Sequence, residues 1–321
     1  MKAIAIGRNG GPEVFQVVER PIPVYGDDQV LIEVKLSGLN RPDVWQRKGK
    51  YPAPKGVVQD ILGLEVSGVI SACGKNVTKW KIGDRVGALL AGGGYAAYAV
   101  AHQGHCLPLN EEISFEHAAC IPETLCTIWH NLVDLGGLGK DKKVLIHGGS
   151  GGIGTMGIQV SKWLQADVFV TASSPYKVKI CEQLGAQVIP YLEQDFAEKL
   201  KDIPMDVILD SIGGPYFEKN LKILANDGYL IYINSIKGAH VPLDLSQLMI
   251  RRHHITGSTL RPRSIEFKTK LIQRIEHSIW PSFLNGSIKP FVHSIFEFNQ
   301  IQEAHQLLDS GEFAGKIAIR W

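Results

Sequence analysis

Two rhythms of apolar residues divide this chain. From residue 1 to about 125, short apolar–polar alternations (KAIAI, EVFQVVE, QVLIEVKLSGL, LEVSGVISAC, DRVGALL, YAAYAV) are separated by glycine and proline. A period of two sends successive side chains to opposite faces of a strand, so this region reads as all-β and barrel-like. The run Gly92–Gly94 marks a tight connection. Past Pro122 the rhythm changes. TLCTIWHNLVDL carries apolar residues at helical spacing, and GGLGKDKK ends that helix. Strands and helices then alternate: VLIH, a helix from Gly154 to about Leu164, VFVTAS, a helix from about Pro175 to Gly185, QVIPY, a helix at FAEKL, MDVILDSI, a helix at YFEKNLKIL, GYLIYIN and HITGST. That alternation predicts an α/β fold with a doubly wound parallel sheet, of the Rossmann kind. After Leu260-Arg261-Pro262-Arg263 a long helix is expected from Ser264 to about Asn285, then strand, helix and strand at FVHSIFEF, IQEAHQLLDSG and KIAIRW. The last strand is like the N-terminal β material. The expected domains are therefore a mainly-β one, 1–125 with 262–321, and an α/β one, 126–261.

The glycine cluster Gly149-Ser150-Gly151-Gly152-Ile153-Gly154 falls between an apolar strand and an amphipathic helix. In that context G-x-G-x-x-G points to a dinucleotide. The glycines let the backbone turn tightly and approach a pyrophosphate, and the helix N-terminus offers free N–H groups to the anion. Ser150, Gly151, Gly152 and Ile153 are the expected contacts. A site for NAD usually carries an acid about 20 residues further on, at the end of the second strand. Here that strand ends Thr171-Ala172-Ser173-Ser174-Pro175-Tyr176-Lys177, with no acid. Two hydroxyls and a lysine suit a 2′-phosphate, so NADPH is the expected cofactor, held by Ser173, Ser174 and Lys177. The plainer reading, in which Ser173 and Ser174 cap the next helix, is compatible with this one. Ser211 after DVILD, and Asn234 and Ser235 after GYLIYI, lie at strand ends where doubly wound sheets bind ligands.

Composition narrows the partners. With 45% hydrophobic and 21% charged residues the chain can build a core, and a net charge of +2 offers no electrostatic case for nucleic acid or a membrane surface. The basic knot Arg251-Arg252-His253-His254 reads as a solvated helix end before a strand. No run approaches the roughly 18 apolar residues of a membrane span, and MKAIAIGRNG does not read as a signal peptide. The five cysteines, Cys73, Cys106, Cys120, Cys126 and Cys181, are scattered without a C-x-x-C pair. A reduced, cytoplasmic chain is expected.

Several segments together resemble a known family: GGPEVFQVVERPIP, GLNRPDVWQRKGKYP, ILGLEVSGVI, WKIGDRVGALLAGGGYAAYAV, IPETLCTIWHNL, the glycine cluster, DVILDSIGG and the closing GKIAI. The chain resembles the medium-chain dehydrogenase/reductase superfamily in its zinc-independent quinone oxidoreductase branch, nearest to p53-inducible quinone oxidoreductase-like proteins. The resemblance runs end to end. It implies a GroES-like catalytic domain beside the NADP-binding Rossmann domain, an active site in the cleft between them, and a homodimer joined through the Rossmann sheets. The departures from the zinc alcohol dehydrogenase pattern matter most. Asn40 stands where that pattern has a cysteine ligand, and Leu64 where it has a histidine. No cysteine falls in Gly87 to Tyr95, where the structural zinc lobe would be, and Cys120 or Cys126 alone cannot hold zinc.

By motif match the resemblance implies that Asn40 and Asp43 face the nicotinamide and substrate, with Asn40 a donor to a substrate oxygen and Asp43 an orienting acid. Tyr51 would be a wall for a flat ring and Thr127 a contact on the nicotinamide side. Glu65 would be a structural acid, Tyr191 a contact near the adenosine phosphate, and Lys316 a residue approaching the site from the closing motif. Without a Lewis acid, a quinone is the expected acceptor, because its conjugated ring takes up the incoming negative charge. Two other readings stay open: an NADPH-dependent reductase of enals or enones, and an NADPH-binding protein without turnover. A zinc alcohol dehydrogenase fits least.

Overall fold

The computed structural model describes all residues, Met1–Trp321. They group into two compact units, Met1–Cys126 with Leu260–Trp321, and Thr127–Thr259.

The first unit holds β1 (Lys2–Ile6), β2 (Phe15–Glu19), β3 (Gln29–Gly38), β4 (Glu65–Cys73), β5 (Arg85–Leu89), β6 (Tyr98–His102) and β7 (Cys106–Pro108). The second holds β8 (Lys143–His147), β9 (Asp167–Ala172), β10 (Gln187–Pro190), β11 (Met205–Asp210), β12 (Leu224–Tyr232) and β13 (His254–Gly257). The chain then returns to the first unit through β14 (Val292–Glu297) and β15 (Lys316–Arg320). There, β15 pairs antiparallel with β3, Ile319 opposite Ser37. The large sheet of the first unit runs β14-β15-β3-β4-β5-β7, with β6 also on β3, and only the β14–β15 pair is parallel. Its alternating inward residues, Val30, Ile32, Val66, Ile70, Val86 and Ala99 among them, form one core. A second core joins Ile4, Phe15, Leu39, Leu62 and Tyr95 to Ile301, Leu308 and Ile317.

The second unit is one parallel sheet in the order β10-β9-β8-β11-β12-β13. Its central strands are apolar on both faces, as a sheet covered by helices on each side requires. Leu145, Phe169, Ile208, Phe217 and Leu230 pack together on one face. Each such side chain contributes about 1.5–3 kcal/mol on burial.

Helical segments differ from the periodicity reading at several points, among them a short helix at Phe115–Ala118. Arg41–Arg47 is a helix inside the region read as all-β, with Asn40 at its N-cap and a proline in its first turn. Seven residues are too few for a helical period to stand out against the strands. The segment read as one helix after Pro122 is an α-helix, Pro122–Ile128, followed by a wider π-type turn, Trp129–Leu135. Asn131 explains the change: its Nδ2 donates at 2.8 Å to the Thr127 carbonyl, the acceptor an α-ladder reserves for the Asn131 backbone N–H. Ser258 Oγ donates to Asn131 Oδ1 at 2.8 Å and holds the amide in place. The long helix expected to Asn285 is two, Ile265–Ser278 and Trp280–Leu284. Pro281 cannot continue the first ladder and opens the second.

Candidate functional site

In the second unit, β8 ends at His147 and the chain turns through Gly148 at φ +78°, a conformation glycine adopts without strain. The next residues lie against β9. Gly148 N–H donates to Thr171 Oγ1 (3.1 Å) and Gly149 N–H to the Thr171 carbonyl (3.0 Å). A Cβ on Gly149 would stand 2.5 Å from Val170 Cβ, and one on Gly154 would overlap the carbonyl oxygens of Gly148 and Gly149. Gly151 then caps the helix Gly152–Trp163 without any side-chain cap. The result is a first helical turn whose N–H groups no side chain satisfies, approached by backbone alone, which fits a pyrophosphate. Ser150 is buried, whereas Gly151, Gly152 and Ile153 are half-exposed.

The other expected cofactor residues gather at the same, carboxyl edge of the sheet. Ser173 and Ser174 follow β9 and are half-exposed. Ser174 caps the helix Pro175–Gln183, its Oγ accepting from the Lys177 backbone N–H. Tyr191 N–H donates to the Ala172 carbonyl at 3.1 Å, which sets Tyr191 beside the end of β9. Ser211 follows β11, and its carbonyl accepts from Ile236 N–H. Asn234 and Ser235 follow β12, with Asn234 Oδ1 accepting from Ser235 N–H. Thr127 begins this unit and is half-exposed. Lys316 is not in this group; it opens β15 in the first unit.

In the first unit, the segment after β3 carries Asn40 and Asp43 into a buried polar cluster. The Asp43 carboxylate accepts from Asn40 N–H (2.8 Å), Tyr95 OH (3.0 Å) and Gly63 N–H (3.3 Å). Burial pushes its pKa up to about 6, against those hydrogen bonds and Lys316, which lower it. Tyr95 OH also meets His305 Nε2 at 3.2 Å. Burial, with Arg47 and Arg41 nearby, holds the His305 pKa well below the ordinary histidine value.

Asn40 corrects the expectation of a substrate-facing amide. Its Oδ1 accepts from Lys316 Nζ at 2.5 Å, and its Nδ2 points to Glu65 Oε1 (3.0 Å) and the Gly38 carbonyl (3.4 Å). Both ends of the amide are engaged inside the protein. Asp43 likewise faces inward with no exposed surface. Lys316 Nζ also reaches Glu65 Oε1 (2.7 Å) and donates to the Leu39 carbonyl (2.6 Å), so its three N–H groups have three acceptors. Burial lowers its pKa, but Glu65, Cys120 and Glu123 more than offset that, and the ammonium is favoured. Glu65 Oε2 accepts from the Glu123 backbone N–H at 2.9 Å, in the first turn of Pro122–Ile128. The acid therefore ties together the Asn40 loop, β15 and that helix.

Tyr51 is half-buried, with the Arg261 guanidinium 5.5 Å from its ring centre. Arg261 is a residue the pattern reading passed over. It donates to the Ala91 carbonyl (2.6 Å) and Gln46 Oε1 (2.7 Å), which fixes the cation beside Tyr51. An arginine followed by proline between two domains was the available signal. Tyr95, His305 and His147 carry no such signal, because their partners are far away in the chain.

A zinc ion does not fit this donor set. Around Asn40 and Glu65 the carboxylate is already matched by an ammonium. Burial pushes the Cys120 thiol up to about 12 and the Cys126 thiol higher still. No three His, Cys, Asp or Glu side chains come together to hold a metal ion. Nor is any helix long and apolar enough to cross a membrane.

Comparison with known proteins finds two domain families along the chain. The alcohol dehydrogenase GroES-like domain family matches residues 26–111, and the zinc-binding dehydrogenase family matches residues 152–277. The chain is 29% identical over 327 residues to the quinone oxidoreductase of Homo sapiens, covering 99% of this chain and 97% of that protein. It is 28% identical over 327 residues to highly-reducing polyketide synthase 1 of Aureobasidium melanogenum, but spans only 14% of that protein's length. Among solved structures, Escherichia coli quinone oxidoreductase complexed with NADPH superposes with a TM-score of 0.89 at 27% identity, covering 100% of both chains.

Proposed function

The chain belongs to the medium-chain dehydrogenase/reductase superfamily, in its quinone oxidoreductase branch, and on that premise we propose that it is an NADPH-dependent reductase of quinones that works without zinc. Bound NADPH would supply a hydride. The uncapped first turn after Gly151 would hold the pyrophosphate. Ser173, Ser174, Lys177 and Tyr191 would take the 2′-phosphate, and Ser211, Asn234 and Ser235 would line the same edge. Lysine and hydroxyls, with no acid, favour the phosphorylated cofactor.

One observation carries the acceptor class: Lys316 and Asn40 satisfy Glu65, and no metal donors remain around it. Such a site has no Lewis acid for a lone alkoxide, so it suits an acceptor that spreads negative charge over its own ring. Tyr51 is the flat wall for that ring, with Arg261 a fixed cation beside it. Asn40 and Asp43 act by holding this loop in one geometry, and Thr127 is the residue of the second unit assigned to the nicotinamide side.

The reading includes a homodimer. β13 is an unpaired edge strand, and Leu245, Met249 and Ile250 are exposed on the helix before it, which supports a second copy there. A cytoplasmic location is supported by five free cysteines. Steady-state rates on matched panels of quinones and enones test the acceptor class. Higher kcat/KM on quinones is expected, with Lys177→Ala raising KM for NADPH about tenfold and leaving NADH unchanged. Faster turnover of enones would replace the quinone by a conjugated carbonyl.

A further inference from the structure

Beneath the glycine loop lies a run of buried polar side chains that touches no candidate ligand surface: His147, Thr171, Asn220 and Asp210, none more than 4% exposed. His147 Nε2 meets Asn220 Oδ1 at 2.8 Å, and His147 Nδ1 meets Thr171 Oγ1 at 3.3 Å. Asn220 Nδ2 donates to Asp210 Oδ2 at 2.8 Å. Asp210 Oδ1 accepts from the backbone N–H groups of Ile212 (2.5 Å) and Gly213 (3.1 Å).

The proton positions follow from the acceptor at the far end. A carboxylate only accepts, so the Asn220 amide turns its NH2 to Asp210 and its oxygen to His147. The imidazole must then carry its hydrogen on Nε2, which leaves Nδ1 bare. Bare Nδ1 takes the Thr171 hydroxyl hydrogen, and the Thr171 oxygen is left to accept from Gly148 N–H at 3.1 Å. Burial lowers the pKa of His147 and keeps the ring in this neutral form. Phe196 and Tyr216 pack edge-on at 4.7 and 4.8 Å and block rotation of the ring. The chain of donors thus runs from the turn after β11, through the helix Phe217–Ile223, to the end of β9 and the first amide of the glycine loop. It joins three of the turns that carry the expected cofactor contacts.

We propose that His147 is a positioning residue for the dinucleotide: it touches no part of the ligand, but its two ring nitrogens lock the glycine loop to the turns after β9 and β11, so that the loop amides are aimed before binding. The inference rests on the dinucleotide reading above and extends it to a residue outside the G-x-G-x-x-G cluster. Preorganisation of this kind acts on affinity, because donors already aimed need no ordering when the ligand arrives.

The test is a double-mutant cycle on the dissociation constant for NADPH, read by its fluorescence and by calorimetry, with urea unfolding of each ligand-free protein alongside. His147→Leu leaves Asn220 Oδ1 without a donor and the Thr171 hydroxyl hydrogen without its acceptor. It should weaken NADPH binding about tenfold or more, with kcat at saturating NADPH within about twofold. Asn220→Ala breaks the chain from the side remote from the loop and should weaken binding similarly. The double variant should be no weaker than the poorer single one, because both remove the same connection. His147→Gln keeps a donor and an acceptor and should stay within about threefold of the unmodified protein. Folded variants that bind NADPH as tightly as the unmodified protein, or losses that multiply in the double variant, overturn the proposal. If both His147→Leu and Asn220→Ala fail to fold, the chain is general scaffolding and the positioning role is likewise overturned. An unmodified protein that binds neither NADPH nor NADH would bring down the dinucleotide reading itself.

Discussion

At the scale of single residues, Lys316 and Asp43 make the sharpest demands. Lys316 is the one cation against a Glu65 carboxylate that has no exposed surface. Removing one partner of a buried pair strands the other, at about 3–5 kcal/mol, whereas replacing both can be nearly neutral. Urea unfolding should therefore show Lys316→Met losing about that much, and Lys316→Met combined with Glu65→Gln losing clearly less. Asp43 makes a prediction in pH. Its pKa is about 6 in the folded protein against 3.8 as the ordinary value, so the folded state holds the proton more tightly. Stability from this group is full below about pH 4 and falls as pH rises to about 6, then stays level. Relative to Asp43→Asn, the unmodified protein should lose on the order of 3 kcal/mol between about pH 4 and pH 7, measured by urea unfolding across that range. An unmodified protein that gained stability relative to Asp43→Asn as pH rose would contradict the burial of this acid.

At the scale of elements, the strand-to-helix turn after β8 was legible, because glycine spacing reports backbone geometry directly. Gly154 shows how specific that requirement is. In an ordinary helix interior, Gly→Ala gains about 1 kcal/mol. Here the added Cβ would meet two backbone carbonyls that cannot move without opening the loop. Gly154→Ala is expected to lose about 1–3 kcal/mol of thermal stability instead, and to weaken NADPH binding about tenfold; a stabilised variant would show the turn to be loose. The short helix after Asn40 and the π-type turn after Ile128 were not legible. The first spans too few residues for a period, and the second depends on Asn131 meeting Ser258, 127 positions away in the chain.

At the scale of the whole molecule, the return of the last strand was readable from KIAIRW because a strand's alternation is local. What that return brings with it was not: Lys316 meets Asn40 across 276 positions, and no local pattern announces the pair. Asn40 as a turn residue was visible in GLNRPD; that its amide is spent on Lys316 and Glu65 became evident only once β15 lay beside β3. This pairing also bears on the proposed function, since it matches the buried Glu65 carboxylate with an ammonium. The most direct test is oxidation of NADPH and NADH with a small quinone, measured with and without a strong metal chelator. Turnover should prefer NADPH and stay unchanged by the chelator. No turnover with any quinone, or turnover lost on chelation, would contradict the proposed function.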